Sequence, residues 1–224
     1  MHADPETIRA CVERLRSGGL VAFPTETVYG LGAIATDEEA VRRVFALKGR
    51  PAQNPLIVHV DGEETARRYV RRWPERAQRL AEAFWPGPLT LVLDRSDLVP
   101  NLVTGGGETV GVRCPDHPLT LALLEAVGEG LVGPSANLSG GVSPTTAEHV
   151  RDAFGEDEVL TLDGGPCRAG IESTVLDLTT TPARVLRPGV IGRAQLAGAL
   201  GERVEARAGG ADGAVRSPGL LGPH

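Results

Sequence analysis

Apolar residues recur along this chain at spacings that switch between helical and extended periods. Ile8, Cys11, Val12 and Leu15 form one stripe of a 3.6-residue period, with Asp4 placed as an N-cap and Pro5 at the first helical position. Gly18 and Gly19 stop that helix, and the unbroken apolar run 20–23 predicts a short buried strand. A second helix is predicted from Thr36, with a capping box to Glu39, through Val41, Val44 and Phe45 to a stop at Gly49. Residues 55–60 and 89–93 read as strands on either side of a helical stretch 62–84, and 109–113 reads as a strand before a helix at 119–127. Residues 130–132 lead into a Gly-Pro-Ser turn, and Thr145 with Glu148 predicts a capping box for a helix ending near Phe154. Strands near 160–162, 174–178 and 184–187 and a helix near 195–200 complete the pattern. Helices and strands interleave without strict alternation, and there is no internal repeat. The expected fold class is α/β (α+β mixed): one domain over residues 1–204, with a twisted sheet mixing parallel and antiparallel strands between helices. Residues 205–224 are Gly-, Ala- and Pro-rich and read as a linker or tail.

Composition narrows the functional classes. Of 224 residues, 41% are hydrophobic and 23% charged, enough for a packed core and unlike a disordered chain. No run approaches the roughly 20 apolar residues needed to cross a bilayer. The opening MHADPETIRA lacks the pattern of a secretory leader. Cys11, Cys114 and Cys167 are too widely spaced for a CxxC pair or a disulfide framework. A cytoplasmic protein without membrane attachment is expected. The net charge of −6 argues against holding nucleic acid as the sole purpose, because phosphate neutralisation dominates such binding.

Candidate chemistry gathers in loops. Lys48 and Arg50 flank Gly49 at a helix end. Cations there complement the helix dipole, and they also offer a point charge and a planar fork to one polyanion. Gly133-Pro134-Ser135-Ala136-Asn137 follows a strand, where small residues form a turn and also let backbone amides approach a ligand. Ser143-Pro144-Thr145 lies at a helix start, a place for capping or for an anion. His59 and Arg113 each end an apolar strand, and a buried guanidinium needs a partner that a substrate carboxylate would supply. There is no Walker A sequence and no GxGxxG. Ser135 is outside any GxSxG, so a Ser-His-Asp hydrolase is the weaker idea. Arg67, Arg68, Arg71, Arg72, Arg76 and Arg79 read as a solvated helix face, with RNA contact as the competing reading.

Eight segments occur in order: PTETVYGLG (24–32), KGRP (48–51), NPLIVHV (54–60), WPGPLTLVL (85–93), TVGVRCPDHP (109–118), GPSANLSG (133–140), STVLDL (173–178) and VLRPG (185–189). With them the chain resembles the YrdC-like family of threonylcarbamoyl-AMP synthases. The resemblance implies a YrdC-like domain with a concave cavity for anionic ligands. It implies a nucleotidyltransferase that makes threonylcarbamoyl-AMP and pyrophosphate from ATP, L-threonine and bicarbonate. The product would serve threonylcarbamoylation of an adenosine beside the tRNA anticodon, through downstream tRNA threonylcarbamoyl-transferase proteins, with tRNA itself a weak ligand at most. By matching motif, Thr27, His59, Arg113 and Ser173 would hold threonine, Arg113 by its carboxylate. Thr25 and Thr174 are the neighbouring hydroxyls that compete for two of these roles. Lys48, Arg50, Asn54, Thr109, Ser135, Asn137, Ser143 and Arg187 would hold ATP, with Lys48 and Arg50 as the catalytic pair beside the reacting phosphates. Mg2+ is expected on those phosphates rather than on protein ligands.

Residues 216–224 resemble the start of the linker that joins a smaller C-terminal domain in long family members. That leaves a lost second domain or a fragment as the two readings of the chain's end. Two alternatives stand beside the synthase. A carbamoyl-adenylate domain of the hydrogenase-maturation type would come with acylphosphatase-like and zinc-finger segments and no use for threonine. An RNA-binding module would bind with steep salt dependence and without regard to ATP.

Overall fold

The structure is a computed structural model and describes residues 4–206. The expected linker segment at 216–224 lies outside the described residues. Helix α1 (Pro5–Arg16) is capped by Asp4, whose carboxylate accepts from the Glu6 amide, and it buries Ile8, Cys11, Val12 and Leu15. Strand β1 (Val21–Phe23) pairs antiparallel with β2 (Gly30–Ile34), a strand the sequence pattern did not predict. Helix α2 (Glu38–Lys48) is capped by Asp37, not Thr36. The Asp37 carboxylate accepts from the Ala40 amide, while the Thr36 hydroxyl is drawn away to Glu129. Gly49 ends α2 in the left-handed region at φ 59°, which glycine enters without a Cβ penalty.

After β3 (Ile57–His59), the stretch 62–84 forms two helices rather than one, α3 (Glu63–Tyr69) and α4 (Glu75–Phe84). Pro74 enforces the break, since it removes a donor and biases Trp73 away from helical angles. Strand β4 (Leu89–Asp94), the short α5 (Asn101–Thr104), β5 (Thr109–Arg113), α6 (Pro118–Val127) and β6 (Leu131–Val132) follow. Helix α7 (Ala147–Phe154) takes Thr146 as its cap, where Thr145 was expected, because the Thr146 hydroxyl is the one that accepts from the His149 amide. Strands β7 (Leu160–Thr161), β8 (Thr174–Asp177) and β9 (Ala183–Arg187), helix α8 (Arg193–Leu200) and strand β10 (Val204–Ala206) complete the described chain.

All ten strands join one mixed sheet in the order β10-β9-β8-β4-β5-β3-β6-β2-β1-β7. Neighbours β3/β5, β4/β8, β1/β7 and β9/β10 run parallel, and the remaining pairs antiparallel. Alternation along each strand sorts the residues into two faces. One face presents Ala22, Leu31, Ala33, Val58, Leu91, Val112, Val132 and Leu176 to the main core. On the other, α1 and α6 cover Val21, Phe23, Ile34 and Leu131. The remainder of that second face carries His59, Arg113 and Thr90, and small residues (Gly111, Gly133) lie between them. It is the floor of the candidate site.

The arginine run is a paired surface. Arg67 pairs with Glu63, Arg79 with Glu75 and Arg76 with Glu202, while Arg67 also stacks 5.6 Å above Trp73. Three of the six arginines are thus answered by carboxylates within the chain and Arg68 donates to the Gly128 carbonyl, as expected of a solvated surface. Among the described residues no helix is long and apolar enough to cross a membrane, and the three cysteines are free.

Candidate active site

At one end of the uncovered face, Arg113 and His59 stand opposite each other in the parallel register of β3 and β5. Arg113 is 4% exposed and already has an anion: its Nη2 lies 2.7 Å from Glu26 Oε1. The two charges pair at close range without the alignment of a hydrogen bond. Arg113 therefore has an anionic partner within the chain before any substrate carboxylate arrives. The same nitrogen donates to the Thr27 hydroxyl at 3.0 Å, and the other Glu26 oxygen accepts from the Asp116 amide. Glu26 thus fixes both Arg113 and the loop after it. His59 is held neutral. Burial first, and then the Arg113 charge, push its pKa down to about 3. Its ring meets Phe23 edge-on at 5.3 Å, and a Cβ on Gly133 would come within 2.6 Å of Nδ1, so glycine is required there.

The neighbouring hydroxyls take different partners, although those of Thr25 and Thr27 also lie 2.8 Å apart as a hydrogen-bonded pair. Thr25 spends its hydroxyl on a turn, accepting from the amides of Thr27 and Val28 and donating to the Val28 carbonyl. Thr27 turns its own toward Arg113. Thr174 is closed into a reciprocal pair with the Ile191 backbone, whereas Ser173 Oγ lies 2.8 Å from Thr90 Oγ1 and 3.1 Å from Arg187 Nη2.

Arg187 leads to the other end of the site. Its Nε donates to the Ser173 carbonyl at 3.1 Å and its Nη1 pairs with Glu172. Glu172 Oε1 accepts from the Ser143 hydroxyl at 3.4 Å. Across from these lies Lys48, 2% exposed, with its Nζ on the Ser135 carbonyl at 2.5 Å and also on that of Asn137. Lys48 therefore ties KGRP to PSAN. Burial, and then the Arg50 charge, lower its pKa from 10.5 to about 7. A neutral amine has two hydrogens, the number these two carbonyls accept. Arg50 donates to the Asn54 and Pro55 carbonyls at 3.1 and 2.9 Å, and burial lowers its pKa to about 10. Arg187 is lowered as well, again first by burial.

The amide nitrogen of Asn137 shapes its own loop through the Leu138 and Gly141 carbonyls, and the buried Oδ1 atoms of Asn137 and Asn54 have no hydrogen-bond partner. Thr109 touches none of the other candidates. It lies at the far end of β5, about 13 Å of strand from Arg113, and the β3–β5 register carries it toward Pro55 and hence toward Arg50. Three desolvated cations, Lys48, Arg50 and Arg187, thus share Glu172 as the carboxylate that acts on all of them. Such an excess of buried positive charge suits a polyanion. Sequence reasoning passed over Glu172 and Thr90 and gave Glu26 no role, although all three lie within or beside its motifs. Open concavities between α1 and α2, and beside α8 and β10, hold no comparable set. Three of the arginines there are turned to nearby carbonyls and carboxylates, Arg14 to Glu158, Arg43 to Gly18 and Arg203 to Glu205.

The chain is similar to known proteins over most of its length. The family model Sua5_yciO_yrdC, described as telomere recombination, matches residues 13–189. A threonylcarbamoyl-AMP synthase of Pyrococcus abyssi is 51% identical over 196 residues, covering 87% of this chain and 57% of its own length. One of Bacillus subtilis is 46% identical over 199 residues, covering 88% and 57%. The chain thus spans little more than half the length of these curated relatives. The crystal structure of P. abyssi Sua5 complexed with L-threonine superposes with a TM-score of 0.95 at 46% identity, over 100% of this chain and 66% of that one. By the match over residues 13–189, these identities and the shared mixed α/β fold, the chain belongs to the Sua5–YciO–YrdC family.

Proposed function

We propose that this chain carries the catalytic domain of a cytoplasmic threonylcarbamoyl-AMP synthase, which converts ATP, L-threonine and bicarbonate into threonylcarbamoyl-AMP and pyrophosphate. The supporting observation is the closeness of two unlike subsites: a hydroxyl–guanidinium end with Thr27, His59 and Arg113, and a desolvated cationic end with Lys48, Arg50 and Arg187, near enough that the Arg113 charge acts on Arg187 and the Arg187 charge on His59. Threonine would lie at the first and the triphosphate at the second, with Asn54, Thr109, Ser135, Asn137 and Ser143 around the nucleotide. The chemistry has three parts. The threonine amine gives up a proton, adds to bicarbonate with loss of water to form a carbamate, and a carbamate oxygen attacks the α-phosphorus as pyrophosphate leaves. No covalent enzyme intermediate is required. Catalysis would rest on bringing the reactants together and on stabilising phosphate charge, which suits a site of Lys, Arg, Ser and Thr.

Neutral His59 suits this chemistry, since it adds no second cation to Arg113 beside the incoming ammonium. Magnesium would arrive with its substrate as MgATP, since it is usually held by substrate phosphates and water rather than by an all-protein cage. The product, a mixed anhydride, would pass to a tRNA threonylcarbamoyl-transferase. Pyrophosphate release, measured with each substrate omitted in turn, tests the proposal. Release that needs ATP, threonine and bicarbonate together supports it, and release indifferent to threonine rejects it in favour of a carbamoyl-adenylate activity or simple hydrolysis of ATP to AMP and pyrophosphate.

A further inference from the structure

The phosphate end of the site holds an anion of the protein's own. Glu172 pairs through Oε2 with Arg187 Nη1, and its Oε1 accepts from the Ser143 hydroxyl at 3.4 Å. Its charge also reaches Lys48 and Arg50, raising the proton affinity of both. Of the side chains that the family resemblance assigns to ATP, two therefore touch this carboxylate and two more feel its charge. Two observations separate a placeholder from a scaffold. First, Arg187 is oriented without Glu172, by the Ser173 carbonyl on Nε and the Ser173 hydroxyl on Nη2. Second, the Glu172 side chain is 32% exposed against 15% for Arg187, so the carboxylate has a path outward while the guanidinium stays fixed.

We propose that Glu172 is an internal stand-in for phosphate: it occupies Arg187 Nη1 and Ser143 when the site is empty, and an incoming polyphosphate displaces it. The inference rests on reading this end as the triphosphate subsite. Its consequence is a lowered affinity for any polyphosphate, reactant or product. The return of Glu172 to Arg187 would help pyrophosphate leave a site that otherwise offers three buried cations.

The test is titration calorimetry of the full chain with inorganic tripolyphosphate and with pyrophosphate, each with and without Mg2+. Glu172→Gln keeps the shape and removes the charge, and binding of both probes is expected to tighten about tenfold or more, or about 1.4 kcal/mol, in both buffers. Glu172→Asp keeps the charge but draws it back from Arg187, and an intermediate tightening is expected. Unchanged or weaker binding by both variants overturns the proposal. A loss confined to Mg2+ buffer overturns it by assigning Glu172 to the metal instead. If neither the wild type nor the variants bind either probe, the triphosphate reading fails and this inference fails with it, an outcome distinct from the other two.

Discussion

Binding of a triphosphate at pH 8 will draw a proton from solution, and Lys48 will take it. In the free protein burial sets its pKa at about 7, so about nine-tenths of the molecules carry a neutral amine at pH 8. A phosphate charge brought to about 4 Å, at an effective dielectric near 20, is worth about 4 kcal/mol, or about 3 pKa units. Lys48 would then be an ammonium throughout the working range. The expected uptake is about 0.9 proton at pH 8, about half at pH 7 and about 0.1 at pH 6. Arg50, titrating at about 10, stays charged across this window and contributes little. Calorimetry of MgATP binding in buffers of different ionisation enthalpy reads the proton number as a slope. Lys48→Met will abolish the uptake at pH 8. No uptake in the wild type, or the same uptake in Lys48→Met, refutes the reasoning.

The same group predicts a slope of stability with pH. The folded pKa of Lys48 lies below its ordinary 10.5, so between about 7 and 10.5 the unfolded chain holds a proton that the folded one lacks. The penalty is full below about pH 7 and relieved as pH rises, so urea unfolding will show the wild type gaining up to about 2 kcal/mol relative to Lys48→Met from pH 7 to 8.5. Glu26→Ala strands a buried Arg113 and will cost about 3–5 kcal/mol in the same assay, as removal of one partner from a buried pair does. Thr25→Val leaves the Thr27 and Val28 amides without their acceptor and will lower stability by about 1–3 kcal/mol, whereas Thr27→Val will chiefly raise the threonine KM. Gly133→Ala drives a methyl into His59 and Phe23 and will lower the thermal midpoint, by about 1–3 kcal/mol of overpacking.

What the sequence made legible follows the strength of its local signals. Helix α1 announces itself by cap, proline and stripe together, and β5 by an alternation that ends at Arg113. Strand β2 stayed hidden because Gly30 and Gly32 lie against Phe23, where a Cβ would come within 3 Å of the ring, and the small residues erase the period-two pattern. The caps at Asp37 and Thr146 each sit one residue beyond the expected position. At each, two adjacent polar side chains compete, and tertiary partners such as Glu129 decide which is free to cap. The site motifs were visible as motifs, yet what they touch was not. Glu26 meets Arg113 across 87 positions of chain and Lys48 meets Ser135 across the same separation, so neither pairing has a local signature. Lys48 changes most in this light. Read from the sequence it is a point charge presented to phosphate, and in the fold it is also the clamp that joins the two loops.

The central claim is tested most directly by mass spectrometry of the reaction with ATP, L-threonine and 13C-bicarbonate. The account predicts an adenylate that contains threonine and carries the heavy carbon in its carbamoyl group, formed together with pyrophosphate. Turnover of ATP with no labelled threonylcarbamoyl adenylate would contradict it.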